Sequence, residues 1–326
     1  MLSPFLGAFF CFGMKVSEFY TEIFIKYSSV TTDTRNISRN VLFFALRGEK
    51  FNGNDFAVEA IEKGAAFSIV DDSSIIHPQV IYVEHVLTFL QELSLYHRQQ
   101  LDIPVIGITG TNGKTTTKEL IASVLSQKYT VTCTQGNLNN HIGVPLTILS
   151  VHKLTDIAII EMGANHVDEI AFLCSLVLPD YGIITNVGKA HLEGFGSFEN
   201  VVKTKVALYE SVKKRDGVIF VDADNDMLMS YAQNAHIVEY SLFPKTDVYG
   251  VLTKHAVSAG FTLYTNQGSV GIQSQLFGEY NIKNMLAACT IGVYFNVSLT
   301  EIANAIESYV PTNNRSQIVQ TSSNTV

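Results

Sequence analysis

Four short runs of apolar, mostly β-branched residues constrain the fold of this chain more than any other feature. They are VIGIT (105–109), IAIIE (157–161), YGIIT (181–185) and GVIFV (217–221), and each leads through a glycine or polar turn into a helical stretch. A strand with one wet face alternates apolar and polar residues. These runs do not, so both faces must be covered. Apolar strands alternating with helices predict a mostly parallel sheet between two helical layers, an α/β architecture. A smaller version of the pattern fills residues 14–101, with NVLFFAL, FSIVDD and VIYVE as strands and DFAVEAIEKGA and TFLQELSLYHRQQ as helices. LDIP (101–104) ends the last of these helices, because the residue before a proline avoids the α region. The reading is a small α/β domain over 14–101 and a larger one over 102–312. VSAGFTLYTNQGSVGIQSQL (257–276) alternates and carries turn residues, which predicts an antiparallel hairpin in the larger domain.

Length and composition agree. At roughly 150 residues per domain, 326 residues suggest two domains. Hydrophobic residues at 47% and charged residues at 16% suit sizeable cores and exclude a disordered chain. A net charge of −8 without a basic run argues against a nucleic-acid groove. Cys11, Cys133, Cys174 and Cys289 are far apart and lack metal-type spacing, so they read as buried thiols of a reducing, cytoplasmic compartment. The uncharged stretch MLSPFLGAFFCFG (1–13) is shorter than the ~20 residues of a spanning helix. It also lacks the positive start and cleavage site of a secretory signal. It is expected to be an extension ahead of Met14, a loose tail or an upstream start, with no membrane insertion.

In open parallel sheets, ligands bind beyond the carboxyl ends of the strands. The first run leads there into Gly110-Thr111-Asn112-Gly113-Lys114-Thr115-Thr116 and then a helix whose Leu120, Ile121, Val124 and Leu125 share one face. Glycines let backbone N–H groups curl around a phosphate, and the helix N-terminus adds positive potential. Lys114 suits the β- and γ-phosphates and the Thr115 hydroxyl suits Mg²⁺. The spacing departs from G-x-x-x-x-G-K-[ST], because Ile108 stands where the first glycine belongs. The second run ends at Glu161, a structural ion-pair partner or a hard oxygen ligand for a nucleotide-bound Mg²⁺. The third leads to Asn186 and to His191, which taken alone is as readily structural as functional. The fourth leads to Asp222, Asp224 and Asn225. Lys203 and Lys205 on a following helix read by themselves as a solvated face.

GITGTNGKTTTKEL, TQGNLNNHIGVPLTIL, EMGANHVDEIAFL, NVGKAHLEGFGSFENVVKTK, GEYNIKNMLAA and NNRSQ occur here in one order from Thr31 to Gln317. In these motifs the chain resembles the Mur ligase family of ATP-dependent amide-forming enzymes, and its displaced first glycine fits that family's loop. GNLNNHIGVP and EMGANH are closest to the branch that adds a dipeptide. The resemblance implies a small N-terminal UDP-binding domain, a central ATPase domain and a third, Rossmann-like domain. Only the first strand of the third is expected here, in a hinge region over 313–326, so the chain is expected to keep its binding sites and to ligate poorly.

The resemblance further implies that UDP-N-acetylmuramoyl-tripeptide, D-alanyl-D-alanine and ATP are joined in an acyl-phosphate mechanism of peptidoglycan precursor synthesis, by a cytoplasmic monomer with two Mg²⁺ ions. Gly110 to Thr116, Asn281, Asn284 and Arg315 would contact ATP, with the two asparagines at adenine. Thr115 and Glu161 would hold one ion. His191 and a carbamylated Lys205 would hold the second, with Lys203 the nearby alternative for carbamylation. Thr34, Arg35, Asn137, Asn139 and Asn140 would meet the UDP substrate. Lys114, His191 and Lys205 would be catalytic. Tyr280 stands where many members have histidine, which touches the fine contacts and not the class. Competing readings are another Mur ligase, a folylpolyglutamate-synthase-like ligase, and a non-catalytic nucleotide-binding fragment. A GTPase or kinase would show a base-reading motif or a catalytic aspartate loop, and neither is present.

Overall fold

The structure, a computed structural model, describes residues 14–189, 192–253, 259–278 and 280–311. The chain divides into two compact units. One comprises residues up to Asp102 together with His141–His152, and the other comprises Ile103–Asn140 with the rest from Lys153. Among the described residues no helix is long and apolar enough to cross a membrane.

The first unit is built on four parallel strands, β1 (Val30–Thr31), β2 (Leu42–Phe44), β5 (Phe67–Val70) and β6 (Val80–Tyr82), in that spatial order. A two-stranded ribbon, β3 (Arg47–Gly48) with β4 (Phe51–Asn52), interrupts them. One face is covered by α1 (Val16–Phe19) and its π-helical extension and by α3 (Val86–Gln99), with Phe19, Phe44, Phe89, Leu90 and Leu93 buried together. The returning segment adds α5 (Gly143–Leu149), whose Leu149 joins this core. The other face packs on α2 (Ala57–Glu62) through Val41, Phe43, Ala57 and Ala60. His97, on α3, is 7% exposed and binds the returning segment, with Nε2 2.8 Å from the Val151 carbonyl and Nδ1 3.1 Å from the Tyr20 hydroxyl. A carbonyl only accepts, so Nε2 carries the proton and Nδ1 accepts from Tyr20.

The second unit holds a nine-stranded sheet. Its strands in chain order are β7 (Val105–Thr109), β8 (Val131–Cys133), β9 (Ile157–Glu161), β10 (Tyr181–Ile184), β11 (Val218–Asp222), β12 (His236–Ser241), β13 (Val248–Leu252), β14 (Gly260–Thr265) and β15 (Gly268–Gln273). The spatial order is β15-β14-β13-β12-β11-β10-β7-β9-β8. Strands β7 to β13 pair in parallel, and β14–β15 form the expected antiparallel hairpin. After β7 the chain builds outward on one side and returns through β9. It then crosses to β10 on the other side, which puts a topological switch point beside β7, where such sheets bind ligands.

The unalternating strand pattern has the predicted cause. Every residue of β7 and β9 is buried. One face carries α4 (Lys114–Leu125), α10 (Tyr280–Tyr294) and α11 (Leu299–Ser308), and the predicted α4 stripe of Leu120, Ile121, Val124 and Leu125 is fully buried in that core. The opposite face carries α6 (Glu169–Val177) and α8 (Phe198–Lys214), with α7 (Leu192–Phe195) ahead of α8 and α9 (Asp226–Ala232) after β11. Gly107 and Gly182 let α8 sit close to the sheet, because a Cβ on either would press on Leu208. Of the thiols, Cys174 and Cys289 are buried and Cys133 is half-buried, whereas Cys11 lies outside the described residues.

Candidate active site

The glycine loop leaves β7 at the switch point. Gly110 has φ +149, and a Cβ there would collide with the Thr185 hydroxyl. Gly113, with φ +77, caps α4, and a Cβ on it would stand 2.8 Å from Asn284 Oδ1. Both positions therefore need glycine, for conformation and for space. The residues after β10 hold the loop open. Asn186 accepts from Thr111 N (2.9 Å) and Asn112 N (3.0 Å) and donates to Asn112 O (2.9 Å). The Thr185 hydroxyl donates to Asn112 O at 2.6 Å, and Gly188 N donates to the Thr111 hydroxyl at 2.9 Å. Asn186 was legible as a polar strand end, but its role as a clamp was not, because its partner lies 74 residues away. Lys114, at the start of α4, turns its Nζ back over the loop to Gly110 O (2.9 Å) and Thr111 O (3.0 Å). Thr116 is half-buried in the same turn.

Thr115 is 6% exposed and Glu161, at the end of β9, is 1% exposed. The Thr115 hydroxyl donates to Glu161 Oε1 at 3.2 Å, and Asn139 Nδ2 donates to the same oxygen at 2.8 Å. Glu161 N donates to the Thr134 hydroxyl at 2.9 Å. Glu161 Oε2 is buried with no hydrogen-bond partner, and among the described residues Glu161 has no cation in salt-bridge contact. A buried carboxyl oxygen left open beside a hydroxyl on a phosphate-type loop fits a hard divalent cation, and Mg²⁺ binds through one or two carboxylates together with nucleotide phosphates. No group of three or more described His, Cys, Asp or Glu side chains is arranged to hold a metal.

On α8, Lys203 is exposed while Lys205 is only 3% exposed. A solvated face describes the first and not the second. Val201, Val202, Thr204, Leu208 and Tyr209 are buried with Lys205, so its stripe of α8 faces inward. Burial lowers the Lys205 ammonium to about 8, the nearby Lys114 charge pushes the same way, and Glu169 opposes both. Its Nζ lies 5.8 Å from the centre of the buried Phe195 ring. Glu169, which opens α6, accepts from Asn165 N (2.6 Å) and His166 N (3.0 Å).

Asn281 and Asn284 are buried in the first turn of α10. Asn284 donates to Asn281 Oδ1 (3.1 Å), and Asn281 donates to Phe277 O (2.7 Å). Asn284 thus stands against the glycine loop at Gly113, while Tyr280 beside it is 65% exposed. Asn139, expected at the UDP substrate, is half-buried on Glu161, whereas Asn137 and Asn140 are exposed. In the first unit, Thr34 is half-buried and Arg35 is exposed. Arg35 donates through Nη2 to Asp33 at 2.7 Å, and its side-chain hydrogen bonds hold the Asp33 carboxyl down at about 2. His191 and Arg315 lie outside the described residues.

The polar end of β11 has other business. Asp222 pairs with Lys283 at 2.6 Å. Asp224 accepts from the Ser241 hydroxyl and from Leu242 N, and Asn225 caps α9. Three strand ends thus surround the loop, and the fourth is tied into the scaffold.

The chain is similar to known proteins in sequence and in fold. Residues 108–292 match the profile described as Mur ligase middle domain, and residues 26–106 match the one described as Mur ligase family, catalytic domain. The chain is 37% identical over 306 residues to the UDP-N-acetylmuramoyl-tripeptide–D-alanyl-D-alanine ligase of Bacillus subtilis (strain 168), covering 90% of this chain and 64% of that protein. Its identity to the ligase of the same name from Escherichia coli (strain K12) is 38% over 284 residues, 85% of this chain and 62% of that protein. A crystal structure of MurF from Acinetobacter baumannii superposes with a TM-score of 0.81 at 31% identity, covering 91% of this chain and 66% of that one. The chain spans 62 to 64% of the length of the curated relatives named here. The fold, the loop and these relatives together show that the chain belongs to the Mur ligase family.

Proposed function

We propose that the protein serves as an ATP-dependent ligase that joins D-alanyl-D-alanine to UDP-N-acetylmuramoyl-tripeptide. The observation that carries the nucleotide half of this reading is the Thr115–Glu161 pair on the glycine loop, with Glu161 Oε2 left open. The substrate half is supported by the relatives at 37% and 38% identity, whose names state that reaction.

In this reading the tripeptide carboxylate attacks the γ-phosphate of ATP, giving an acyl-phosphate and ADP. The dipeptide amine then attacks the acyl carbon, and the tetrahedral intermediate expels phosphate. The N–H groups of the 110–116 loop and the Lys114 ammonium receive the phosphates, where preorganised donors act on developing charge. Thr115 and Glu161 would hold Mg²⁺, which would supply Lewis-acid polarisation of the phosphate oxygens when bound. A depressed Lys205 gives a larger share of neutral amine near pH 8. That amine would add to CO₂ with loss of one proton, and the carbamate, an anion, would with His191 hold a second ion. Asn281, Asn284 and Arg315 contribute to the ATP site, with the asparagines toward adenine. Thr34, Arg35, Asn137 and Asn140 serve the UDP substrate. Asn139 serves it too, or orients Glu161 as its hydrogen bond suggests. The protein acts in the cytoplasm as a monomer.

The test is calorimetric titration of the chain with UDP-N-acetylmuramoyl-tripeptide and with Mg-ADP, followed by phosphate release from ATP once D-alanyl-D-alanine is added. Binding of both ligands is expected, and any release should depend on D-alanyl-D-alanine. Failure to bind the UDP substrate, or release supported by folate and glutamate, would contradict the substrate assignment.

A further inference from the structure

Asp222 closes β11 with its side chain 6% exposed, and it is held twice. One oxygen accepts from Asp224 N at 3.0 Å and the other accepts from Lys283 Nζ at 2.6 Å. Lys283 projects from the first turn of α10, between Asn281 and Asn284 in sequence. Successive helical residues point about 100° apart. A side chain fixed to β11 therefore sets the direction in which the next residue leaves the helix. That next residue is Asn284, whose amide rests at Gly113 and continues through Asn281 to the Phe277 carbonyl. The first turn of α10 is thus pinned to the sheet on one side and meets the phosphate loop on another.

We propose that Asp222 and Lys283 form a positioning pair for the nucleotide site. Their contact sets the rotation of α10 that holds the Asn284–Asn281 couple against Gly113, so nucleotide affinity depends on a carboxylate that touches neither the loop nor its ligand. The proposal rests on the nucleotide-binding reading above. It differs from a scaffold ion pair, which would act on stability alone. It also differs from direct contact of Lys283 with the nucleotide, in which Asp222 would be dispensable.

The experiment is Mg-ADP binding by calorimetry, with thermal midpoints recorded, for the unmodified chain, Asp222→Asn, Lys283→Met, the double variant and Lys283→Arg. Each of the first two variants is expected to weaken binding about tenfold, and the double variant by no more than either, as residues acting through one contact do. Lys283→Arg, which keeps the pair, is expected to bind as the unmodified chain does. Unchanged ADP affinity in Asp222→Asn with a lowered midpoint would overturn the proposal in favour of a scaffold pair. A further loss on adding Lys283→Met to Asp222→Asn would overturn it in favour of direct contact. Absence of ADP binding by the unmodified chain would overturn the nucleotide reading itself, and this proposal with it.

Discussion

Glu161 and Asp222 begin as near twins. Each ends a buried parallel strand of one sheet, after IAII and VIFV respectively. Glu161 is 1% exposed and Asp222 is 4% exposed. Their surroundings differ in kind. Asp222 meets the Lys283 ammonium, so both of its oxygens are engaged. Glu161 meets only neutral donors, on Oε1, and keeps Oε2 without a partner. Buried polar groups are almost always satisfied, and the open oxygen of Glu161 is where the proposed Mg²⁺ would bind. A strand-end carboxylate is therefore functional or structural according to what distant helices bring to it. That partner stands 61 residues away for Asp222.

The sharpest way to break this comparison is to neutralise each twin. Glu161→Gln is expected to weaken Mg²⁺-dependent ADP binding by roughly 10- to 100-fold, the scale of about 1.5–3 kcal/mol for a contact to a charged group. Its thermal midpoint without divalent cations should be no lower than that of the unmodified chain, since the native oxygen has no partner to lose. A loss of stability instead would mean that Glu161, like Asp222, contributes to holding the fold. Thr115→Val removes the hydroxyl beside Glu161 at nearly constant volume. It should weaken Mg-ADP binding about tenfold, a hydrogen-bond-sized effect of about 1.4 kcal/mol, as calorimetry would read. Asp222→Asn should cost stability where Glu161→Gln does not. Lys283 is 39% exposed, and screening holds the cost to about 1 kcal/mol in denaturant titration.

The smallest effect comes from a third buried polar group, far from either twin in sequence. His97 is fully partnered, and burial lowers its pKa below the ordinary histidine value. Below that ordinary value the unfolded chain binds a proton that the folded chain does not. Stability should therefore be full at pH 7 and fall as the pH drops through 6 toward 5. His97→Gln should flatten that slope, measured as denaturant midpoints against pH. An unchanged slope would mean that other groups set it.

Much of this was legible in local sequence, and the remainder has a common physical cause. The parallel sheet, the hairpin near residue 265, the buried stripe of α4 and the glycine loop before it follow from periodicity and from residues within one turn of each other. Lys205 shows the limit. By themselves Lys203 and Lys205 in VVKTKVALYE read as a solvated face, yet Val201, Val202, Leu208 and Tyr209 are buried with Lys205 and turn it inward. The loop clamp by Asn186, the Asn139–Glu161 bond and the return of GVPLTIL to the first unit each need partners tens of residues away. Spacing along the chain does not encode such partners. The sheet order does, by setting β9 and β10 on either side of β7.

The central claim is that Thr115 and the open oxygen of Glu161 make a Mg²⁺-dependent nucleotide site. The most direct measurement is the affinity for ADP with and without Mg²⁺, in the unmodified chain and in Glu161→Gln. The account predicts that Mg²⁺ tightens ADP binding to the unmodified chain and has little effect on the variant. Equal tightening in both proteins, or none in either, would contradict it.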